Sequence, residues 1–213
     1  MQYTKSIGFV LGLLLLLLPF AVAAQDDVPQ SVSTVHRFAD ASEIEAGWST
    51  LNRYENGVMA TFHTKELIPN DVVTMWWVIF NEPANCSDAC GEDDIFMVDE
   101  DGALVIGENG AELNFEQIEA AKIALLGATG NVVGEDGEGH FSAVLSTGDN
   151  PNTVFGPALL DAANAEIHLV LRTHGPLNAD MLDEQIIAFN GGCAAEWPNE
   201  PCQDVQFAVH MAG

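Results

Sequence analysis

Val72-Val73-Thr74-Met75-Trp76-Trp77-Val78-Ile79-Phe80 is the stretch on which the fold turns. Side chains alternate between two faces along a strand, and here both faces are apolar or aromatic, so the run reads as a central strand covered on both sides. Leu67-Ile68-Pro69-Asn70-Asp71 makes a turn into it. Working outward, Val58 to His63 pairs with Trp48 to Tyr54 across Tyr54-Glu55-Asn56-Gly57, whose Asn-Gly pair tolerates the positive φ of a tight hairpin. Ile95 to Val98 and Ala103 to Ile106 flank Asp99-Glu100-Asp101-Gly102 as a second hairpin. His140 to Leu145, Ile167 to Thr173 and Val205 to Met211 complete the expected strands.

Two segments read as short helices. Asn114 to Leu126 has a capping box, Asn114 with Gln117, and places Ile118, Ala121 and Leu125 together. Ala179 to Phe189 gathers Leu182, Ile186 and Phe189 and stops at Asn190-Gly191-Gly192. Short strands divided by Gly, Asp and Asn turns, without βαβ alternation, predict a mainly β fold: an antiparallel β-sandwich with one or two short helices.

The chain opens with Lys5, an apolar block from Ile7 to Phe20, and the small residues Ala21-Val22-Ala23-Ala24 before Gln25-Asp26-Asp27. That order is the pattern of a cleaved secretory signal peptide over residues 1–24, and the apolar run is at the short end for an uncleaved spanning helix. Residues 25–213 are then expected to form a single domain, secreted or periplasmic. The 32 acidic against 6 basic residues, a formal net charge of −26, exclude nucleic acid and anionic membrane surfaces as partners, because binding either needs Lys and Arg against phosphate. Half the chain is apolar, which is incompatible with a disordered polyanion.

Four cysteines fall as two close pairs, Cys86 with Cys90 and Cys193 with Cys202, in loop-like sequence. In an exported chain disulfides are the default, and of the three connectivities local pairing is expected. A four-cysteine zinc site is the rival, but neither spacing is the C-x2-C knuckle. Asn85-Cys86-Ser87 also matches a glycosylation sequon.

Three stretches together resemble secreted CHRD-type (chordin-repeat) domains. These are Leu67-Ile68-Pro69-Asn70 running into Thr74-Met75-Trp76-Trp77-Val78, then Asp136 to Leu145, then Ala165-Glu166-Ile167-His168-Leu169 with His174-Gly175-Pro176. The resemblance covers about half of the residues after the leader, and it implies an extracellular antiparallel sandwich used for adhesion or ligand binding, without catalytic chemistry. The chain departs from that family's close His-x-His-Gly-Pro arrangement, since its two histidines lie six residues apart, and from its terminal Gly-Glu-Ile-Arg-Gly strand.

His168-Leu169-Val170-Leu171-Arg172-Thr173-His174 is the strand richest in candidate chemistry. His168, Val170, Arg172 and His174 share one face, but six residues of strand separate the histidines by roughly 20 Å, so each would need metal partners from other strands. Arg172 repels a cation and is expected to pair with a carboxylate. A type I copper site at Cys202, His210 and Met211 fails because Cys202 is expected in a disulfide and adjacent residues point to opposite faces. Gly-x-Ser-x-Gly and His-Glu-x-x-His do not occur. Calcium is the one cofactor the turns suit, through Asp99, Asp101, Glu135, Asp136 and Glu138, although glycine arrives too early in Asp99-Glu100-Asp101-Gly102 for an EF-hand.

These readings converge on a secreted, acidic, non-catalytic binding or surface-interaction module with an extracellular ligand or surface as partner. The alternative is a metal-dependent enzyme or metal-binding protein using histidines from separate strands. Crowded carboxylates repel, so the melting temperature is expected to rise steadily as sodium chloride goes from about 0.01 to 1 M, where the screening length falls from roughly 30 to 3 Å. Stabilisation by sub-millimolar calcium that a chelator reverses, with no response to sodium chloride, would instead assign the acidic turns to a bound ion.

Overall fold

A computed structural model describes residues 30–107, 110–195 and 198–213; the expected signal peptide lies outside the described residues. Eight strands make one antiparallel sheet. They are β1 (Gln30–Arg37), β2 (Glu43–Tyr54), β3 (Gly57–Thr64), β4 (Asp71–Phe80), β7 (Ile123–Val132), β8 (Gly139–Ser146), β9 (Glu166–Pro176) and β10 (Gln203–His210). Their order is β7-β4-β9-β10-β1-β2-β3-β8, and because β7 and β8 also approach one another the sheet nearly closes into a barrel. The mainly antiparallel β class is as expected. The pairing is that of one nearly closed sheet in place of two separately paired layers.

Every residue of β4 is buried, as its two apolar faces require. Val73, Met75, Trp77 and Ile79 point into the barrel, where they meet Leu126 of β7, Ile167, Leu169 and Leu171 of β9, and Phe62 and Phe141 from the far wall. Eight strands enclose a space that side chains can fill, so this is a packed core. Trp76, Val78 and Phe80 point outward into a second apolar cluster with Ile118, Ala121, Ile123 and Leu125. The cover comes from the excursion between β4 and β7. It holds a 3-10 turn at Pro83–Asn85, α1 (Glu92–Ile95), the two-residue strands β5 (Ile106–Gly107) and β6 (Gly110–Ala111), and α2 (Phe115–Ala120).

The local disulfides form as expected, Cys86–Cys90 and Cys193–Cys202, with Cα atoms 5.2 and 5.7 Å apart. Such bonds belong to a non-reducing compartment. None of the helices among the described residues is long and apolar enough to cross a membrane.

Several boundaries differ from expectation for identifiable reasons. Asn114 does cap a helix, accepting a bond from the Gln117 amide, but α2 stops at Ala120 and Lys122 turns the chain at φ 49°. The continuation Ile123-Ala124-Leu125-Leu126 is a strand, because the edge of β4 offers it backbone partners and two apolar surfaces. The second expected helix shortens to α3 (Leu182–Ile187). At the Asp99–Gly102 turn the hairpin is reduced to the single bridge Val98–Leu104, since Ile95 closes α1 and Phe96 bridges to Leu113. Strand β1 is not among the expected strands, because its run of Ser, Thr and Val lacks large apolar residues. In the β2–β3 hairpin Gly57 pairs with Tyr54, leaving Glu55-Asn56 as the loop. Gly57 is required there because a Cβ would stand 2.4 Å from the Leu145 carbonyl oxygen of β8.

One end of the barrel interior is polar. His210 is 1 % exposed and bonded at both ring nitrogens, Nδ1 to Ser31 Oγ at 2.8 Å and Nε2 to Ser49 Oγ at 2.9 Å. Arg53 donates to the carbonyl oxygens of Ala162 and Met211 beside it. Burial first, then the charge of Arg53, lowers the His210 pKa to about 4. The folded imidazole therefore stays neutral while the unfolded one, near 6.5, takes up a proton, so stability is full above about pH 6.5 and falls as pH drops toward 4. The full effect is roughly 3 kcal/mol. Urea unfolding between pH 7.5 and 4 should show this slope, and H210N should flatten it, leaving a remainder from buried His174, whose pKa burial also lowers.

Candidate functional site

The excursion between β4 and β7 does not seal the outer face of the sheet completely. Its first turn is fixed by Asp94, a fully buried carboxylate that accepts bonds from the Ser87 amide and hydroxyl and the Gly91 amide. With the Cys86–Cys90 bridge, this holds Glu92, Ile95 and Phe96 at a distance from β9 and β10. A cleft of about 350 Å3 remains between them. Its floor is Trp76, Val78, Val170 and Phe207; Phe38, Phe155 and Phe189 stand at its sides. Trp76 sits edge-on to Phe189 at 5.1 Å, its indole N–H donating to Thr74 Oγ1.

Few polar groups reach this apolar space. His168 Nε2 lies 2.7 Å from Glu166 Oε1 and its ring tilts against Phe80 at 5.0 Å. Arg172 donates to Asp204 at 2.8 Å, to the Phe189 carbonyl at 2.9 Å and to Asn190 Oδ1 at 3.1 Å, with its guanidinium 4.1 Å over the Phe189 ring. The expected pairing of Arg172 with a carboxylate is thus met by Asp204. About a quarter of the Asp204 side chain touches the cleft, yet the enclosing walls withhold bulk water, and burial pushes its carboxyl pKa up against the pull of Arg172. Glu92, on the opposite lip, is also raised, first by burial and then by the charges of Asp204 and Asp93. Among the described residues Glu92 has no side-chain partner.

The remaining sequence candidates are scattered. His168 and His174 share the outer face of β9, as expected, but His174 is buried between Thr74 Oγ1 at 2.8 Å and the Gly191 carbonyl at 2.9 Å. Both of its nitrogens are thereby engaged. Asp99 spends one carboxylate oxygen on the amides of Asp101 and Ala103. Asp136 accepts from the Glu138 amide, Glu138 lies 3.3 Å from Lys65, and Glu135 is exposed in the same β7–β8 loop. Among the described residues, three acidic, histidine or cysteine ligand atoms come within 4.8 Å only at His174 with Cys193 and Cys202, and at Cys86 with Cys90 and Asp94. The cysteines of both groups are bridged, and neither group includes a residue of the acidic turns.

The cleft residues Glu92, Asp204, Phe38 and Phe207 carry no signal in the sequence, since three separate segments bring them together. Glu166 and His168 could have been read as neighbours from their two-residue spacing on one strand. No protein-family model matches the chain, and no curated protein sequence matches it.

Removing one partner of a buried ion pair leaves the other charge uncompensated, at a cost of about 3 kcal/mol or more. D204N should destabilise the protein by that order in urea unfolding, whereas the double variant R172M/D204L should recover most of the loss.

Proposed function

We propose that this chain is a secreted, non-catalytic binding protein whose outer cleft holds a small apolar ligand carrying a cationic nitrogen. The observation that supports the reading is the cleft itself. Its volume of about 350 Å3 is within the range of small-molecule sites, and it is lined by aromatic rings with a few placed polar groups. The charge of the ligand follows from the lip, where among the described residues Glu92 has no side-chain partner and Asp204 is paired with Arg172 alone, and from a chain whose formal net charge is −26. A carboxylate-bearing ligand would meet repulsion from both, while an ammonium group would relieve it and find aromatic faces nearby.

Export is part of the proposal: the leader at residues 1–24 is removed and the domain beginning near Gln25 acts outside the cytoplasm, as the two disulfides favour. The resemblance to CHRD-type domains supports the same extracellular, non-catalytic role. The His168–Glu166 pair could move a proton at the cleft wall, but no nucleophile stands beside it among the residues that line the space.

Three ligands of one shape and different charge test the reading: 1-naphthylmethylamine, 1-naphthylmethanol and 1-naphthylacetate, followed by tryptophan emission and calorimetry. The amine should bind tightest, the alcohol about five-fold weaker and the acetate weakest. E92Q should shrink the preference for the amine, and V209F, which adds a ring where Val209 lines the cleft, should abolish binding of all three. Failure of all three to bind, or binding unaffected by V209F, would overturn the proposal.

A further inference from the structure

Strands β3 and β8 lie side by side with His63 directly opposite His140, and their side chains meet on the outer surface, away from the cleft. The two Nδ1 atoms are 2.9 Å apart and the rings tilt against one another at 4.4 Å. On the next strand Trp48, the register partner of His63, holds its ring 5.5 Å from that imidazole. Glu138 Oε2 is 3.8 Å from His140 Nε2, while its other oxygen is held by Lys65 at 3.3 Å.

We infer that His63 and His140 form a chelating site for a divalent copper or nickel ion. Two imidazole nitrogens bound at 2.0–2.1 Å in neighbouring positions of a square-planar or tetragonal ion are about 2.9 Å apart, whereas tetrahedral zinc spreads them to about 3.3 Å. The 2.9 Å spacing is that of a hydrogen bond between the two rings, and a square-planar ion can take it over with little movement of either nitrogen. Glu138, 3.8 Å from His140 Nε2, is too far to hydrogen-bond the ring but sets a negative charge beside it, which favours a cation at the pair. Without an ion the facing Nδ1 atoms can share one proton; with one, both lone pairs are used. His140 is 67 % exposed on its side chain, so water completes the coordination sphere and the ion needs no entry path. The ionic field of a strongly acidic chain raises the local concentration of cations.

The site is independent of the cleft and uses none of its residues. The test is calorimetric titration of the purified, chelator-stripped chain with copper(II), nickel(II) and zinc(II) chlorides, with electron paramagnetic resonance of the copper form. One equivalent of copper should bind most tightly, zinc more weakly, and the copper spectrum should be tetragonal with two nitrogens coupled to the ion. H63Q and H140Q each remove one arm of the chelate and should weaken copper binding about 100-fold while leaving the melting temperature of the metal-free protein unchanged. Copper should quench Trp48, so W48F should bind the ion but lose most of the quenching. Copper binding that persists undiminished in both histidine variants, or a spectrum with no coupled nitrogen, would overturn the inference.

Discussion

Strand β4 must be covered on both faces. Nine consecutive residues from Val72 to Phe80 with no charged side chain cannot be left at a surface, and two tryptophans side by side, Trp76 and Trp77, point to opposite sides of the sheet. One side is solved by curling the sheet until its strands enclose Val73, Met75, Trp77 and Ile79. Trp77 accepts a cost in doing so, since its indole N–H is buried without a partner. The other side needs a separate cover, and the chain supplies it from the long excursion between β4 and β7. The cleft is the part of the outer face of the sheet that this excursion leaves open.

The same constraint explains what could be read from the sequence and what could not. The two-faced run of β4 and the alternation of β3 are properties of single segments, and they were legible. So were the disulfides, whose partners lie 4 and 9 residues apart. Strand β7 was hidden because Ile118, Ala121 and Leu125 satisfy a helical period as well as a strand, and only the vacancy beside β4 decides between them. Strand β1 was hidden for the opposite reason. Its inward positions include Ser31, which bonds His210 of the neighbouring strand β10, so the apolar signal is missing where the barrel end is polar.

Candidate sites show the same division. His168 and His174 lie on one face of β9, where the two-residue period of the strand puts them. Each ring has local partners that the strand pattern does not name: a carboxylate for His168, a hydroxyl and a carbonyl for His174. The pairing of His63 with His140 depends on the register between β3 and β8, 77 residues apart, which no local pattern encodes. The acidic turns looked alike in sequence, yet Asp99 and Asp136 each use a side-chain oxygen to close their own turn.

The basic residues carry the last step. Five of the six lie within the described residues, and each joins segments distant in sequence: Arg37 with Glu66, Lys65 with Glu138, Lys122 with Glu82, Arg172 with Asp204, and Arg53 with two carbonyls at the barrel end. Exposed pairs of this kind add little stability each. Their placement matters more for the surface they leave behind, because every described cation is already committed to a partner within the fold. Among the described residues the unpaired charge is therefore carboxylate. Such a surface turns away phosphates, sulfates and fatty acids and gathers cations, both at the lip of the cleft, where Glu92 faces an aromatic space, and at the histidine pair beside Glu138. The two proposed sites thus share one electrostatic cause while lying on separate faces of the barrel, and either can be occupied without the other.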